Sequence, residues 1–210
     1  METLETKMAT MQLGSLTLPS RFWLAPLAGY TNLAFRTSVR ELGVLGHATT
    51  DLVNAKALIR TCRKTMDLVQ TSTFDRPFAV QLYGHVIEDM VAAAKWLEGY
   101  GVTSVDINMG CPAKKVCNKW AGSALMQDEP LALAIVQAVV AACAPQGVPV
   151  TLKMRTGWCD AHKNAVALAR AAEATGVQMI TVHGRTREQG YKGLAEYDTI
   201  TAVKQAVRVP

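Results

Sequence analysis

The sequence predicts an α/β fold of the (β/α)8 TIM-barrel type, with about six βα units in its 210 residues. Two observations support this prediction. Short apolar runs of strand length alternate with segments whose apolar residues recur at helical spacing, an order typical of a parallel sheet. Each predicted strand also ends in polar or turn-forming residues, and a parallel barrel collects its strand ends on one rim.

Six apolar runs have the length of β-strands, and a segment with helical periodicity follows each of them. The predicted strands are Phe22–Ala25, a weaker His47–Thr50, Phe78–Leu82, Ser104–Ile107, Val148–Lys153 and Met179–His183. The predicted helices, several of which end at a glycine, are Thr31–Leu42, Val53–Gln70, Val86–Glu98, Pro130–Cys143, Ala161–Thr175 and Tyr197–Val207. Residues up to about Pro19 are predicted to form a frayed start or a short hairpin under the barrel.

The composition fits one soluble domain, because half of the residues are hydrophobic and the chain can bury a sizeable core. The longest unbroken apolar stretch, Ala138–Ala144, is too short to cross a bilayer, and Met1–Thr10 lacks the apolar core of a signal peptide. Five cysteines without a CxxC pair fit a reducing compartment. We therefore expect a cytoplasmic protein that does not contact a membrane. A formal net charge of +5 permits an anionic partner such as RNA without requiring one.

Polar or turn-forming residues follow all six predicted strands. One such residue at a strand end means little, but such residues at the ends of all six strands predict an active site on the rim of a barrel. In chain order they are Pro26 to Gly29, Thr50 with Asp51, Gln81, Asn108 with Cys111, Lys153 with Arg155, and His183 with Arg185.

Cys111 is the candidate reactive group. Most lone cysteines are inert core residues, and we interpret Cys62, Cys117, Cys143 and Cys159 in that way. Cys111 differs because a glycine precedes it and a proline follows it, which imposes a turn, and turns at the rim of a barrel expose their side chains.

The other rim residues have ordinary alternative roles. Gln81 and Asn108 each fit backbone capping or a local turn. Lys153 is more informative, since an amine after the apolar run Val148–Leu152 would be partly desolvated and would require an anionic partner. Basic residues on the neighbouring loops fit either a solvated face or phosphate contacts. These are Lys114, Lys115, Lys119, Arg185 and Arg187.

Motifs narrow the choice of cofactor. The sequence has neither the GxGxxG fingerprint nor the GxxxxGK[ST] phosphate loop, and no histidine and carboxylate cluster has metal-ligand spacing, so no metal is expected. Backbone from Pro26 to Gly29, the amide of Gln81 and the cation of Lys153 suit a flavin, whose ring edge offers donors and acceptors. The residue chemistry alone reaches no further than compatibility with a flavin.

Six motifs extend over nearly the whole chain, and together they resemble those of a known family. They are Ala25-Pro-Leu-Ala-Gly-Tyr-Thr-Asn-Leu-Ala-Phe-Arg36, Val53-Asn-Ala-Lys-Ala-Leu58, Gln81-Leu-Tyr-Gly84, the loop 106–127 with Asn108-Met-Gly-Cys-Pro-Ala-Lys-Lys-Val-Cys-Asn118, Lys153-Met-Arg-Thr-Gly-Trp158 and His183-Gly-Arg-Thr-Arg-Glu-Gln-Gly-Tyr-Lys-Gly193. In type and order they resemble the bacterial tRNA-dihydrouridine synthases, in particular their B-type branch.

The resemblance implies a (β/α)8 barrel that binds FMN, takes electrons from NADPH and reduces a D-loop uridine of tRNA to dihydrouridine. Cys111 would donate a proton, Asn108 would orient the uracil, and Arg155 would contact substrate or flavin. A monomer is expected for the full-length protein. The residues implied to hold the flavin are Pro26, Leu27, Ala28, Gln81, Lys153 and His183.

The chain departs from the family's pattern in three places. Asp51-Leu52 stands where the family more often has Glu-Met, and Tyr30-Thr-Asn32 replaces Val-Thr-Asp. Five units between Pro26 and His183 take about 31 residues each, so closing eight strands would need roughly 60 residues beyond Pro210. Residues 1–210 are therefore expected to be the N-terminal part of the FMN-binding barrel, without its last strands and without the family's C-terminal helical tRNA-binding domain.

Three other interpretations remain open. Another flavin barrel, similar to a dihydroorotate dehydrogenase, would act on a free pyrimidine, although the basic residues near Cys111 favour RNA. A noncatalytic RNA-binding remnant would bind tRNA and be colourless after purification. An incomplete gene product would have no activity.

Overall fold

The structure is a computed structural model that describes residues 9–210. It begins with an antiparallel hairpin of β1 (Met11–Leu13) and β2 (Leu16–Leu18). Leu13 and Leu18 of this hairpin are buried against Met179, at the start of the last strand of the main sheet. The hairpin therefore covers the amino ends of the strands, as the sequence predicted for the residues before Pro19.

The centre of the fold is a curled sheet of six parallel strands, in which each strand pairs with the next one along the chain. The chain segment that connects the fifth strand to the sixth contains a separate two-stranded hairpin, β8 (Gly157–Cys159) with β9 (His162–Lys163). Within the described residues the first and last strands do not pair, so the sheet is open on that side. The six strands are β3 (Phe22–Leu24), β4 (Leu45–Asn54), β5 (Phe78–Tyr83), β6 (Ser104–Met109), β7 (Val150–Arg155) and β10 (Met179–His183).

All six predicted strands are confirmed, with shifted bounds at β4 and β7. The helices that follow them are α1 (Leu33–Glu41), α2 (Ala55–Ile59), α3 (Arg63–Val69), α4 (Ile87–Tyr100), α5 (Lys114–Cys117), α6 (Glu129–Cys143), α7 (Ala165–Ala174) and α8 (Asp198–Ala206).

Two predicted helices are wrong in part. The segment Val53–Gln70 is not one helix, because β4 continues to Asn54 and the helix breaks near Thr61, whose φ of 48° is incompatible with a continuous α-helix. The segment Ala161–Thr175 begins with the β9 strand instead of a helix, and α7 starts only at Ala165.

Alternating side chains give the sheet two different faces. Val105, Ile107 and Met109 of β6 are fully buried in the apolar core with the helices, and each such side chain contributes about 1.5–3 kcal/mol through burial. Asp106 and Asn108 alternate with them and must therefore point to the opposite face. The same alternation in β5 and β7 gives the barrel side of the sheet a polar surface.

The helix α6 contributes to the apolar core. Its stretch Glu129–Gln146 matches a membrane-spanning helix by length and composition, alone among the described residues. Ala132, Ile135, Val136 and Val139 of this helix are fully buried in the core cluster beside the sheet. Packing against the core thus explains the apolar residues on the buried face of α6.

Candidate active site

A cavity lies where the carboxyl ends of the strands meet. Its lining includes four residues that the sequence did not assign to the site, namely Leu52, Gly110, Pro112 and Tyr191. The cavity does not include Leu27, whose side chain is 49% exposed. The other predicted site residues all line it, and they are Pro26, Ala28, Gln81, Asn108, Cys111, Lys153, Arg155 and His183.

A chain of side-chain hydrogen bonds crosses the floor of this cavity. The Thr151 hydroxyl donates to Asp106 Oδ1 at 2.5 Å, and Gln81 Nε2 donates to Asp106 Oδ2 at 2.6 Å. Asn108 Nδ2 in turn donates to Gln81 Oε1 at 2.7 Å. Asn108 Oδ1 accepts from the backbone N–H of Cys111 at 3.0 Å. Three neighbouring strands therefore fix the orientation of the Gln81 and Asn108 amides and the start of the Cys111 loop.

Asp106 is a site residue that sequence reasoning missed. Burial raises the pKa of its carboxyl group, while the hydrogen bonds from Thr151 and Gln81 and the charge of Lys153 lower it. The available signal was a carboxylate inside an otherwise apolar strand, two residues before Asn108. That spacing places both side chains on the same face of the sheet.

Lys153 supplies a cation to the cavity. Burial lowers the pKa of its ammonium group, and the nearby Asp106 carboxylate raises it. Lys153 forms no salt bridge with any residue from 9 to 210. An ammonium group that is partly desolvated and lacks an ion-pair partner is suited to an anionic ligand.

Cys111 lies on a loop with a rigid backbone. Its carbonyl oxygen accepts from the Ser123 hydroxyl at 2.9 Å and from the Ser123 N–H at 3.1 Å. Gly122 has a φ of +62°, and a Cβ at that position would lie 2.8 Å from the same carbonyl oxygen. Burial raises the pKa of the Cys111 thiol above its usual value. The thiol therefore keeps its proton at neutral pH.

Arg155 joins the two loops on either side of the cavity. Its Nε donates to the carbonyl of Gly110 at 2.7 Å, and its Nη1 donates to the carbonyls of Thr186 and Gly190, each at 2.9 Å. The side chain is buried, and its guanidinium carbon lies 5.5 Å from the centre of the Tyr191 ring. The geometry gives Arg155 a positioning role in the loops, and its contact with a ligand stays a prediction.

His183 is uncharged at neutral pH. Burial, and then the cations of Arg155, Lys153 and Arg185, lower its pKa to about 4. Arg185 Nη1 lies 3.3 Å from His183 Nε2. Because a guanidinium group can only donate, Nε2 is the acceptor and the proton of the neutral ring is on Nδ1.

The turn at Pro26–Gly29 is held by Asp51, which the sequence placed on the rim, and by Thr31, which the sequence did not assign to the site. The Gly29 N–H donates to Asp51 Oδ2 at 2.6 Å, and the Leu27 N–H donates to the Thr31 hydroxyl at 3.1 Å. The Thr31 carbonyl accepts from the buried Arg36 at 2.8 Å. Asp51 thus fixes backbone at the cavity wall.

The basic residues around the mouth divide into two groups. Lys114, Lys115 and Lys119 are exposed on the loop that carries Cys111. Arg185 donates to the Gly193 carbonyl at 2.9 Å, and the Arg187 guanidinium carbon lies 4.4 Å from the centre of the Trp158 ring.

For residues 9–210, no group of three or more His, Cys, Asp and Glu side chains could hold a metal ion.

Solved structures with low sequence identity share the fold. Morphinone reductase in complex with tetrahydroNAD superposes with a TM-score of 0.63 over 97% of this chain and 78% of its own, at 13% identity. A variant of NCR from Zymomonas mobilis gives 0.59 over 97% and 77%, at 11% identity. With the six parallel strands, these similarities confirm the (β/α)8 TIM-barrel fold class.

Three relatives match almost all of this chain. The tRNA-dihydrouridine synthase B of Pseudomonas putida is 46% identical over 203 residues, which are 97% of this chain and 59% of that protein. The Pseudomonas aeruginosa protein of the same name is 45% identical, with 97% and 60% covered. A probable tRNA-dihydrouridine synthase of Rickettsia conorii is 45% identical, with 95% and 60% covered. The chain spans about 60% of the length of these curated relatives.

The family model described as dihydrouridine synthase matches residues 23–210. This match includes the six strands of the sheet except Phe22, the first residue of β3, and it includes every residue given above as lining the cavity. It agrees with the family resemblance of the six sequence motifs. The chain belongs to the dihydrouridine synthase family.

Proposed function

We propose that this chain contributes the catalytic barrel of an enzyme that reduces uridine in tRNA to 5,6-dihydrouridine, with FMN as bound cofactor and NADPH as reductant. The observation that carries the proposal is that a protonated thiol, Cys111, and a cation without an ion-pair partner among the described residues, Lys153, line one cavity. The names of the relatives support tRNA as the substrate. We further propose that the enzyme acts in the cytoplasm as a monomer.

The residues around the cavity fit a flavin. Pro26 and Ala28 offer a wall of fixed backbone, Gln81 offers an oriented amide, and Lys153 offers a positive charge. Preorganised charge of this kind stabilises an anionic ring without reorganisation. Bound and reduced FMN would supply a hydride to carbon 6 of the uracil ring. Leu27, which is half exposed, would contribute through its backbone.

Cys111 would donate the proton that carbon 5 of the uracil requires. An ordinary thiol, with a pKa of about 8.5, is already protonated at neutral pH, and burial raises the pKa of Cys111 further. General acid catalysis typically contributes about 10² to 10⁴ in rate. The hydrogen bonds of the Cys111 backbone hold the thiol in one place while the substrate enters.

Asn108 would orient the base, because its amide is fixed between Gln81 and the Cys111 loop. Arg155 would keep the two loops at the distance that admits one flat ring. The uridine must leave its stack to reach the cavity, which costs a few kcal/mol and costs least in a strained loop.

The full product of the gene tests this proposal. After purification, flavin content is read from the visible spectrum, and dihydrouridine is measured by mass spectrometry in tRNA from a strain without dihydrouridine synthases. We expect a yellow protein that forms dihydrouridine with NADPH. Turnover of dihydroorotate without modification of tRNA, or a colourless protein that only binds tRNA, would contradict the proposal.

A further inference from the structure

We propose that a second cavity, beside the candidate active site, binds the nucleotide of the RNA chain that adjoins the target uridine. This inference rests on the proposed function. The lining of the second cavity includes Asn54, Lys56, Tyr83, His85, Asp89 and Lys119.

The two cavities are neighbours along the same pair of strands. In the parallel pairing of β4 with β5, Leu52 lies opposite Gln81 and Asn54 lies opposite Tyr83. The first pair lines the candidate active site and the second pair lines the second cavity. Residues two apart share a face and are separated by about 6.6 Å along the strand. A step of this size is comparable to that between adjacent nucleotides.

The loop that carries Cys111 also belongs to both cavities. Cys111 lines the first, and Lys119 lines the second. A chain whose uridine meets Cys111 would therefore pass Lys119 with its next nucleotide.

The charges of the second cavity fit a phosphate group. Lys56 and Lys119 are both exposed, and neither takes part in a salt bridge within the described chain. His85 adds a polar donor on the exposed side. Asp89 is the one carboxylate among the described residues of the lining, and it can accept from a ribose 2′-hydroxyl.

Tyr83, positioned by Asn54, fits the base of the same nucleotide. The half-buried Tyr83 ring provides a flat apolar surface, and stacking on such rings is tolerant of base identity. Burial raises the pKa of Tyr83, so the ring stays neutral. Asn54 Oδ1 accepts from the Ala57 N–H at 3.0 Å, and the Asn54 side chain also forms a hydrogen bond with Tyr83, so Asn54 positions the ring beside the start of α2. A neutral ring beside two lysines matches a nucleotide rather than a free anion.

The test uses Lys56→Ala, Lys119→Ala and the double variant, with Lys95→Ala as the control. Lys95 is an exposed lysine on α4 outside both cavities, so this control loses the same charge. Binding of unmodified tRNA is measured by fluorescence anisotropy at several salt concentrations, and KM is measured for tRNA and for NADPH. We expect each single variant to weaken tRNA binding roughly three- to tenfold and to reduce the salt slope by about one, and the double variant to reduce it by about two.

Tyr83 provides the second arm. Tyr83→Phe keeps the ring and should bind tRNA like the wild type, whereas Tyr83→Ala should lose roughly fivefold or more. The inference is overturned if the lysine variants match Lys95→Ala, or if their effect falls on KM for NADPH. If the wild-type protein neither binds nor modifies tRNA, the proposed function itself is wrong. If the wild-type protein modifies tRNA but the lysine variants match Lys95→Ala, only the nucleotide site is wrong.

Discussion

Burial acts in opposite directions on the two reactive side chains of the cavity. It raises the pKa of the Cys111 thiol and lowers the pKa of the Lys153 ammonium. Only Lys153 has a nearby carboxylate, Asp106, that opposes the shift. Cys111 keeps its proton because burial outweighs the cations of Arg155 and Lys115, which lower its pKa, whereas the charge of Lys153 is supported by the Asp106 carboxylate.

Replacement of Cys111 by alanine should remove the acid and leave the flavin site intact. We expect turnover to fall by about 10² to 10⁴, with unchanged flavin content. The measurement is single-turnover oxidation of the reduced enzyme by unmodified tRNA. The matched control is Cys62→Ala, at an exposed cysteine that does not line the cavity. A Cys111→Ala rate within threefold of wild type would exclude the thiol as the acid.

Replacement of Lys153 by methionine keeps the length of the side chain and removes its charge. We expect weaker flavin binding and a lower reduction potential, since the anionic reduced ring loses its cation. Lys153→Arg should restore little, because a planar guanidinium group does not occupy the position of a point charge. Potentiometric titration measures the effect, and a potential equal to that of wild type would show that Lys153 has only a structural role.

At the scale of elements, Gly122 determines how closely the loop turns over Cys111. Gly122→Ala should reduce turnover, because its Cβ would lie 2.8 Å from the Cys111 carbonyl and a φ of +62° is strained for alanine. Gly147→Ala is a matched control, since Gly147 has a φ of +67° with no atom within 4 Å of the added Cβ. Gly147→Ala should lose about 1 kcal/mol of stability through backbone strain, Gly122→Ala should lose more because of the added close contact, and only Gly122→Ala should slow the enzyme. Equal turnover of the two variants would contradict this view.

His47 joins three strands and makes stability depend on pH. Its ring stacks 3.9 Å from the Trp23 ring, and its Nε2 lies 3.2 Å from the Ser104 hydroxyl. Burial lowers its pKa from 6.5 to about 3. Between these values the unfolded chain binds a proton that the folded chain does not, so the free energy of unfolding falls as pH falls, by up to about 1.4 kcal/mol per pH unit.

Urea unfolding of wild type and His47→Phe at pH 7 and at pH 4.5 tests this dependence. We expect wild type to lose about 2 kcal/mol more than the variant over this range. His85→Phe, at an exposed histidine, should behave like wild type. If His47→Phe lost as much stability as wild type, another group would be responsible.

Sequence periodicity predicted the strands better than the helix breaks. In the segment Val53–Gln70, Leu58 of α2 and Val69 of α3 are both fully buried in the same core. The helical spacing of apolar residues therefore continues across the break between α2 and α3. The break itself is seen only in the positive φ of Thr61. Cys111 was predictable because a glycine and a proline flank it. The spacing of Asp106 from Asn108 could have placed it on the same face, but its role was not predictable, since it arises from contacts with β5 and β7 that sequence does not place.

At the scale of the whole molecule, the sheet has two edges within the described residues. The strands β3 and β10 each have one side without a partner strand, apart from the Ile180 N–H, which donates to the Pro210 carbonyl at 3.0 Å. Unpaired edges present rows of backbone donors and acceptors that associate with other chains. The polar rim was predictable from the residues at the strand ends. How many backbone groups are unpaired along β3 and β10 depends instead on which strands pair, and the structure is needed to show this.

Residues 1–210 expressed by themselves should associate and hold FMN weakly. The physical reasons are the open edges and a cavity without the phosphate-binding loops that a TIM barrel often supplies after its seventh and eighth strands. Size-exclusion chromatography with light scattering and the visible spectrum provide the measurements. A monodisperse, yellow and active preparation would show that six βα units are sufficient.

Arg155 ties the loop at Gly110 to the segment Thr186–Gly190, so the length of that segment is restricted by the position of the loop. A buried guanidinium group that loses its acceptors is costly, so the carbonyls of Gly110, Thr186 and Gly190 must keep their spacing. Insertions or deletions between Thr186 and Gly190 should therefore be rejected in evolution. The exposed tip of the β8–β9 hairpin, at Asp160, carries no such restriction. Engineers who wish to lengthen a loop near the cavity should begin at that tip.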